Sequence, residues 1–307
     1  MIRKLEYQIK EEQNGKTIQE FLKEKEYSRA ILVELKKTKT GITKNGTWAF
    51  VNETLFSGDV LGIEVTEEES SENIVPMEGN LDILYEDEDI LVVNKPYDMP
   101  IHPSVNNYDN TLANAVAYYY KSQNIPYVFR CINRLDRDTT GATVIAKNML
   151  SAGILSKQVK ERRLKRTYAA LVEGVTKEEG IIDFPIGREE GTVIKRKVDL
   201  KEGKHAVTHY KRQQVVKVGE EEVSLLSLQL ETGRTHQIRV HMSYIGHPLL
   251  GDFLYNETNH MLTRQALHSY KICFDHPVTG EYMEITAPLP ADMQGLLDEN
   301  RGNKKEL

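Results

Sequence analysis

The sequence predicts an α+β protein: a mixed, largely antiparallel sheet domain over 80–290, preceded by a smaller α+β module over 1–66. Three observations carry that expectation. Apolar runs at 81–84 and 90–93 flank an acidic turn at 86–89, and runs at 273–274 and 282–285 flank Pro277, Val278, Thr279 and Gly280; both are hairpin signals. Leu226, Leu228 and Leu230 alternate with Ser227 and Gln229, as a strand with one buried face requires. Helical spacings interleave with these strands, while the hairpins keep the sheet mostly antiparallel.

In the first module, Ile18, Phe21 and Leu22 have helical spacing, and Ser28 can cap a second helix carrying Ile31, Leu32 and Leu35. Runs at 48–51 and 60–65 read as strands around the turn Ser57, Gly58, Asp59. The acidic stretch 67–79 reads as a solvated linker. In the second module 111–122 and 156–165 read as helices, and 143–146 and 168–172 as short strands. Ile238, Met242 and Ile245 mark a helix after Gly233, stopped by Gly246 and Pro248. Residues 291–307 form a charged tail, expected to be mobile after Leu297.

Composition excludes several classes. The chain has 307 residues with 39% hydrophobic and 28% charged side chains, enough for two cores. No apolar run reaches 18 residues, so no membrane-spanning helix is expected. The polar start lacks a signal-peptide core, which makes the closing Lys304, Lys305, Glu306, Leu307 no retention signal. Cys131 and Cys273 give neither a disulfide framework nor a zinc spacing, so a cytoplasmic protein with reduced thiols is the expectation. Net charge is −6, yet residues 66–90 hold ten acidic and no basic side chains; without them 40 basic residues face 36 acidic ones. A nucleic-acid partner therefore remains compatible with the charge distribution.

Familiar nucleotide-binding, zinc-protease and serine-hydrolase motifs are missing. His236 and His241 are five apart, off a shared helical face, so no metal is expected. Three polar segments remain beside apolar strands. In 130–141, Asp136 stands between Arg134 and Arg137 just before a strand, and flanking cations favour the charged form that a carboxylate nucleophile needs. The same cluster also reads as a turn held by surface ion pairs. Six of the ten residues 157–166 are Lys or Arg, including Lys165 and Arg166, a run suited to a phosphate backbone or to a solvated helix face. Tyr168 follows, as a stacking ring or as core. In 231–242 a glycine turn leads to a helix expected to carry Arg234, His236 and Gln237 in its first turn, an anion site or an ordinary helix start.

Together these segments resemble the large-ribosomal and transfer RNA pseudouridine synthases of the RluA type. The residues NRLDRDTTG at 133–141 are similar to that family's signature around its catalytic aspartate, KRTYAALVEG at 165–174 to its tyrosine motif, and LETGRTHQIRVH at 230–241 to its arginine motif. Val92, Val93, Asn94, Lys95 and Pro96, His102 with Pro103, and Ala266, Leu267 and His268 resemble further family segments. The likeness runs in order over about 80–290, and 15–65 resembles an S4-type RNA-binding module.

The resemblance implies the pseudouridine synthase fold and isomerisation of uridine to pseudouridine without cofactor or metal. It implies an RNA partner, large-subunit ribosomal RNA ahead of transfer RNA, and no membrane; a monomer is expected. Asp136 would be the essential aspartate, attacking base or sugar or assisting an elimination. Arg234 would pair with Asp136, Tyr168 would stack on the uracil, and Arg134 would fill the gap left by the flipped nucleotide. Arg137, Lys165, Arg166, His236, Gln237 and Arg239 would contact RNA. Asn133 stands where the family commonly has His, and altered RNA contacts are one expected consequence. Two competing readings are a non-catalytic RNA-binding or ribosome-assembly factor, which would bind RNA without Asp136, and a metal-dependent RNA hydrolase, which lacks a ligand cluster.

Overall fold

A computed structural model describes residues 1–68, 70–71, 73–105 and 107–302, with side chains to Asp298. Three sheets occur among the described residues. The first module runs β1 (Ile2–Gln8), α1 (Ile18–Glu24), α2 (Arg29–Leu35), β2 (Ile42–Lys44), β3 (Thr47–Trp48) and β4 (Val60–Thr66). Thr17 caps α1 through a reciprocal box with Glu20, and Ser28 caps α2, satisfying amides that a helix start leaves open. The sheet order is β1-β4-β2-β3, all antiparallel. β1 has no counterpart in the expected strands. Alternation over β4 buries Leu61, Ile63 and Val65 beneath the two helices. The strand expected over 48–51 ends at Trp48, because Glu53 Oε1 accepts from the Phe50 amide and turns the chain away.

The second module begins β5 (Ile83–Glu86), β6 (Ile90–Lys95), α3 (Leu112–Lys121), β7 (Arg130–Cys131), β8 (Thr140–Ala146), α4 (Met149–Lys160) and β9 (Lys165–Glu173). It continues with β10 (Glu179–Asp183), β11 (Ile186–Arg188), β12 (Arg196–Val198), β13 (Val207–Val218) and β14 (Glu221–Leu230). Last come α5 (Gln237–Tyr244), β15 (Leu267–Asp275), β16 (Tyr282–Thr286) and α6 (Ala291–Gly302). The large sheet is ordered β10-β13-β14-β9-β15-β8-β6-β5, with β16 beside β15 and β7 beside β8, and β11 with β12 forms a separate hairpin. The β15–β8 pair is parallel and the others are antiparallel, so the fold is α+β with the mixed, largely antiparallel sheet expected.

The parallel junction depends on Gly141. Its φ is +110°, and a Cβ there would lie 2.3 Å from the Ser269 carbonyl oxygen, so only glycine lets β8 leave the Asp136 loop against β15. The strand's face is then sealed by Ala142, Val144 and Ala146 within one apolar cluster.

Three expectations are corrected. The helix expected over 156–165 is α4, and it stops at Lys160: Leu164 is buried in the apolar core, and β9 takes over at Lys165. The linker is not a solvated spacer, because Glu67 ion-pairs with Arg130 at 2.9 Å and accepts from the Met149 amide, while Ser70 and Ser71 accept from the Tyr127 and Phe129 amides. The tail from 291 begins as α6, whose Met293 and Leu297 join a buried cluster and whose Asp292 holds Arg264 in two bonds of 2.8 Å; residues 303–307 lie outside the described residues. The two modules also share a helix. Leu150 and Ile154 of α4 belong to the core of the first module, and Leu155 of the same helix to that of the second.

Candidate active site

A cleft of about 580 Å³ opens where the Asp136 loop, the start of β9 and the turn before α5 converge. Asp136, Tyr168, Arg134, Arg166, Arg234 and His236 all line it. The loop carrying Asp136 is set from beneath by Asn133, which is 1% exposed. Its Nδ2 donates to the Ala142 carbonyl at 3.0 Å and its Oδ1 accepts from the Val144 amide at 2.8 Å, tying the loop to β8. Asn133 is thus a buried brace beneath the cleft, and its two bonds use both halves of an amide.

Lys95 clamps the other side. It is fully buried, and its ammonium donates to the carbonyls of Pro96, Met99 and Arg137 at 2.8–2.9 Å. Burial pushes this lysine down to about 7, opposed by the charges of Asp138 and Asp136. Three acceptors match the three N–H groups of the protonated form, so the geometry fits the ammonium.

Asp136 itself is about one quarter exposed. Its Oδ2 lies 3.5 Å from Arg239 and 4.0 Å from His236 Nε2. Arg239 is 2% exposed and is fixed by two 2.7 Å bonds to the buried Asp252. Burial works against its charge, and the Asp252 carboxylate more than offsets that. The guanidinium also lies 5.2 Å from the Tyr255 ring centre and 5.8 Å from that of Phe253. One guanidinium thus spends a bidentate pair on the fold and turns its remaining nitrogen toward Asp136.

This corrects the expected Arg234–Asp136 pair. α5 starts at Gln237, so Arg234 precedes the helix; it is exposed and its Nε donates to the His205 carbonyl at 3.1 Å. The inward face of α5 supplies the cation through Arg239, which is consequently not an exposed RNA contact. Gln237 is likewise structural: 3% exposed, it bonds Thr232, the Arg234 amide, the Val207 carbonyl and Thr208. Much of the basic run is also spent on acids distant in sequence. Lys157 and Arg163 hold Glu26, Arg163 also reaches Asp275, and Arg162 pairs with Glu231. Arg137 pairs with Asp98 across the surface.

Other expected residues do reach the cleft. Tyr168 is 5% exposed on β9, and burial raises its phenol. Arg134 is exposed along the cleft, and Lys165 is exposed at the start of β9. Arg166 places a buried Nε without a hydrogen-bond partner among the described residues. His236, expected as an RNA contact, has its side chain only 10% exposed beside Asp136, and burial lowers its imidazole. Asp252 and Tyr255 had no local signal in the sequence beyond a glycine turn, since the site residues they hold, Arg239 and His236, lie 13 and 19 residues away.

One group of potential metal ligands occurs among the described residues, Asp87, Asp89 and His276, outside the cleft lining. The fold already uses them. Asp87 accepts from the amides of Asp89 and Ile90 and from Tyr85 and His276, and Asp89 holds Arg3 and Asn148.

An aspartate held by a buried cation, in an open cleft that a buried tyrosine also lines, suits acid–base or nucleophilic work. The chain belongs to the RNA pseudouridylate synthase family, whose model matches residues 89–244, and it is an RNA pseudouridine synthase of the RluA type. It is 42% identical to the Bacillus subtilis (strain 168) protein named Uncharacterized RNA pseudouridine synthase YjbO, over 92% of this chain and 98% of that one. It is 40% identical to the ribosomal large subunit pseudouridine synthase D of Vibrio cholerae, over 78% of this chain and 76% of that one. Among solved structures, human RNA pseudouridylate synthase domain containing 1 superposes with a TM-score of 0.58 at 30% identity, covering 72% of this chain and 95% of that one.

Proposed function

We propose that this synthase isomerises uridines of large-subunit ribosomal RNA, with Asp136 as the reacting carboxylate. The observation that carries the assignment of Asp136 is its ion pair with Arg239, a cation the fold has already anchored on Asp252. Ribosomal RNA is supported by relatives 37–40% identical that are named ribosomal large subunit pseudouridine synthase D. The first module, with its likeness to S4-type modules, serves as a second RNA contact.

The chemistry requires the bond between N1 of uracil and C1′ to break, the ring to turn, C5 to join C1′, the C5 proton to leave and N1 to take up a proton. None of this fits inside a stacked helix, so the nucleotide flips out at a cost of a few kcal/mol. Arg134, exposed along the cleft, fills the vacated stack, and Tyr168 offers its ring to the uracil. Asp136 carries the reacting oxygen, and enclosure keeps the detached base from escaping.

The test is tritium release from unmodified large-subunit ribosomal RNA labelled at C5 of uridine. Wild-type protein should release one tritium per modified site, and Asp136→Asn should release none while still binding the RNA, since the substitution barely changes shape. Turnover by Asp136→Asn near the wild-type rate would remove Asp136 from the reaction. Release from transfer RNA alone would move the substrate assignment there.

A further inference from the structure

His236 sits in a conformation that its residue type disfavours. Its φ is +56° and ψ 20°, the left-handed region, and it precedes α5 without capping it through its side chain. Non-glycine residues in that region are kept where surrounding structure holds them, commonly at functional sites. Here both ring nitrogens face defined groups. Nδ1 lies 3.0 Å from the Tyr255 hydroxyl, and Nε2 lies 4.0 Å from Asp136 Oδ2.

The Tyr255 hydroxyl also accepts from the Arg196 backbone amide at 2.8 Å. The hydroxyl keeps its own proton to give, and where it gives that proton to His236 Nδ1, Nδ1 is the unprotonated nitrogen. A neutral imidazole so engaged carries its hydrogen on Nε2, the atom facing Asp136. The charged groups around it are Asp136 and Asp252, which favour a protonated ring, and Arg239 and Arg196, which oppose it together with burial. The Arg239 contact falls on the same Oδ2. Among the described residues no hydrogen bond reaches Oδ1, and Oδ2 is the oxygen nearest to both Arg239 and His236.

We propose that His236 is a positioning residue for Asp136: Tyr255 fixes its tautomer so that Nε2–H and Arg239 together hold Oδ2, leaving Oδ1 as the reacting oxygen. The 4.0 Å separation becomes a hydrogen bond after a movement of roughly 1 Å, small enough to accompany RNA binding. Because Arg196 lies on β12, the chain from Asp136 through His236 and Tyr255 ends on the β11–β12 hairpin, so displacement of that hairpin alters the orientation of the carboxylate. The inference rests on Asp136 being the reacting group.

Two independent readouts test it. Nitrogen-15 spectra of histidine-labelled, RNA-free protein near neutral pH should show His236 neutral with the hydrogen on Nε2, and Tyr255→Phe should give a mixture of tautomers. In single-turnover and steady-state tritium release, Tyr255→Phe should lower kcat about 10-fold and His236→Ala about 10- to 100-fold, with KM for RNA unchanged, as for a lost hydrogen bond to a charged group. His236→Gln, whose amide N–H can stand in for Nε2–H, should recover to within about 3-fold of wild type. A wild-type ring carrying its hydrogen on Nδ1 would overturn the proposal, as would an unchanged kcat in both His236→Ala and Tyr255→Phe, or a loss confined to KM. The tautomer is read without RNA, so it stands apart from the substrate assignment, whose failure appears instead as absent wild-type turnover.

Discussion

Arg239 does two jobs with one guanidinium, and the two can be separated. Replacing it with Met leaves Asp252, fully buried, with only the amides of Leu254 and Tyr255 as donors. An uncompensated buried charge of this kind costs about 3–5 kcal/mol. Against a total of about 5–15 kcal/mol for a folded domain, Arg239→Met should stand near the margin of folding. Adding Asp252→Asn removes the stranded charge and should restore most of that loss. Activity should not follow. Both variants lack the cation 3.5 Å from Asp136, and an opposite charge that close to a carboxylate is worth about 1.4–4 kcal/mol, which lowers kcat about 10- to 1000-fold. Urea unfolding followed by circular dichroism reads the first quantity and single-turnover tritium release the second. If the double variant regained both stability and rate, Arg239 would be a structural residue only, and its 3.5 Å approach to Asp136 would have no catalytic meaning.

Three further outcomes are expected. Tyr168→Phe keeps the ring and should retain turnover to within about 10-fold in the tritium assay if stacking is its main contribution; a complete loss would assign the work to the hydroxyl. Lys95→Met leaves three carbonyls without their donor and should cost about 1–3 kcal/mol, with faster amide exchange at 97–99 and 137–139 measured by mass spectrometry; unchanged exchange would mean the clamp is redundant. His268, fully buried between Thr140 and the Ala287 carbonyl, is pushed down from 6.5 to about 4 by burial. Between those values the unfolded chain binds a proton that the folded one does not, so its contribution is complete above about pH 6.5 and falls as pH drops toward 4. Urea unfolding at about pH 7.5 and about pH 5 should differ by ~2 kcal/mol more in wild type than in His268→Gln, and equal differences would remove His268 as the cause.

Local chemistry made much of the fold legible in the sequence. Ser28 caps its helix as its residue type suggests, the alternation at 226–230 lies on one strand, and the acidic turn at 86–89 closes a hairpin. The hairpin of β11 and β12 and the long strand β13 escaped notice because 176–218 mixes charged and aliphatic residues without a clean period. At the site, Asp136 and Tyr168 stood out through the motifs that hold them. Arg239, expected through the resemblance as an RNA contact, lies on α5, which begins only at Gln237 and is buried along 237–242, so its cation faces inward. The basic run was misread for a related reason: Glu26, Glu231 and Asp275, which neutralise it, are distant in the chain, and no local pattern announces them.

Because α4 contributes side chains to both cores, the first module is fastened to the synthase domain by something much stiffer than a tether. Glu26 adds ion pairs to Lys157 and Arg163 toward the far end of that helix. An RNA touching both modules is therefore measured as by a caliper with a locked jaw. If the first module seats RNA as proposed, the spacing from that seat to the cleft is held by α4, the helix both cores share, and a uridine at any other spacing falls outside reach.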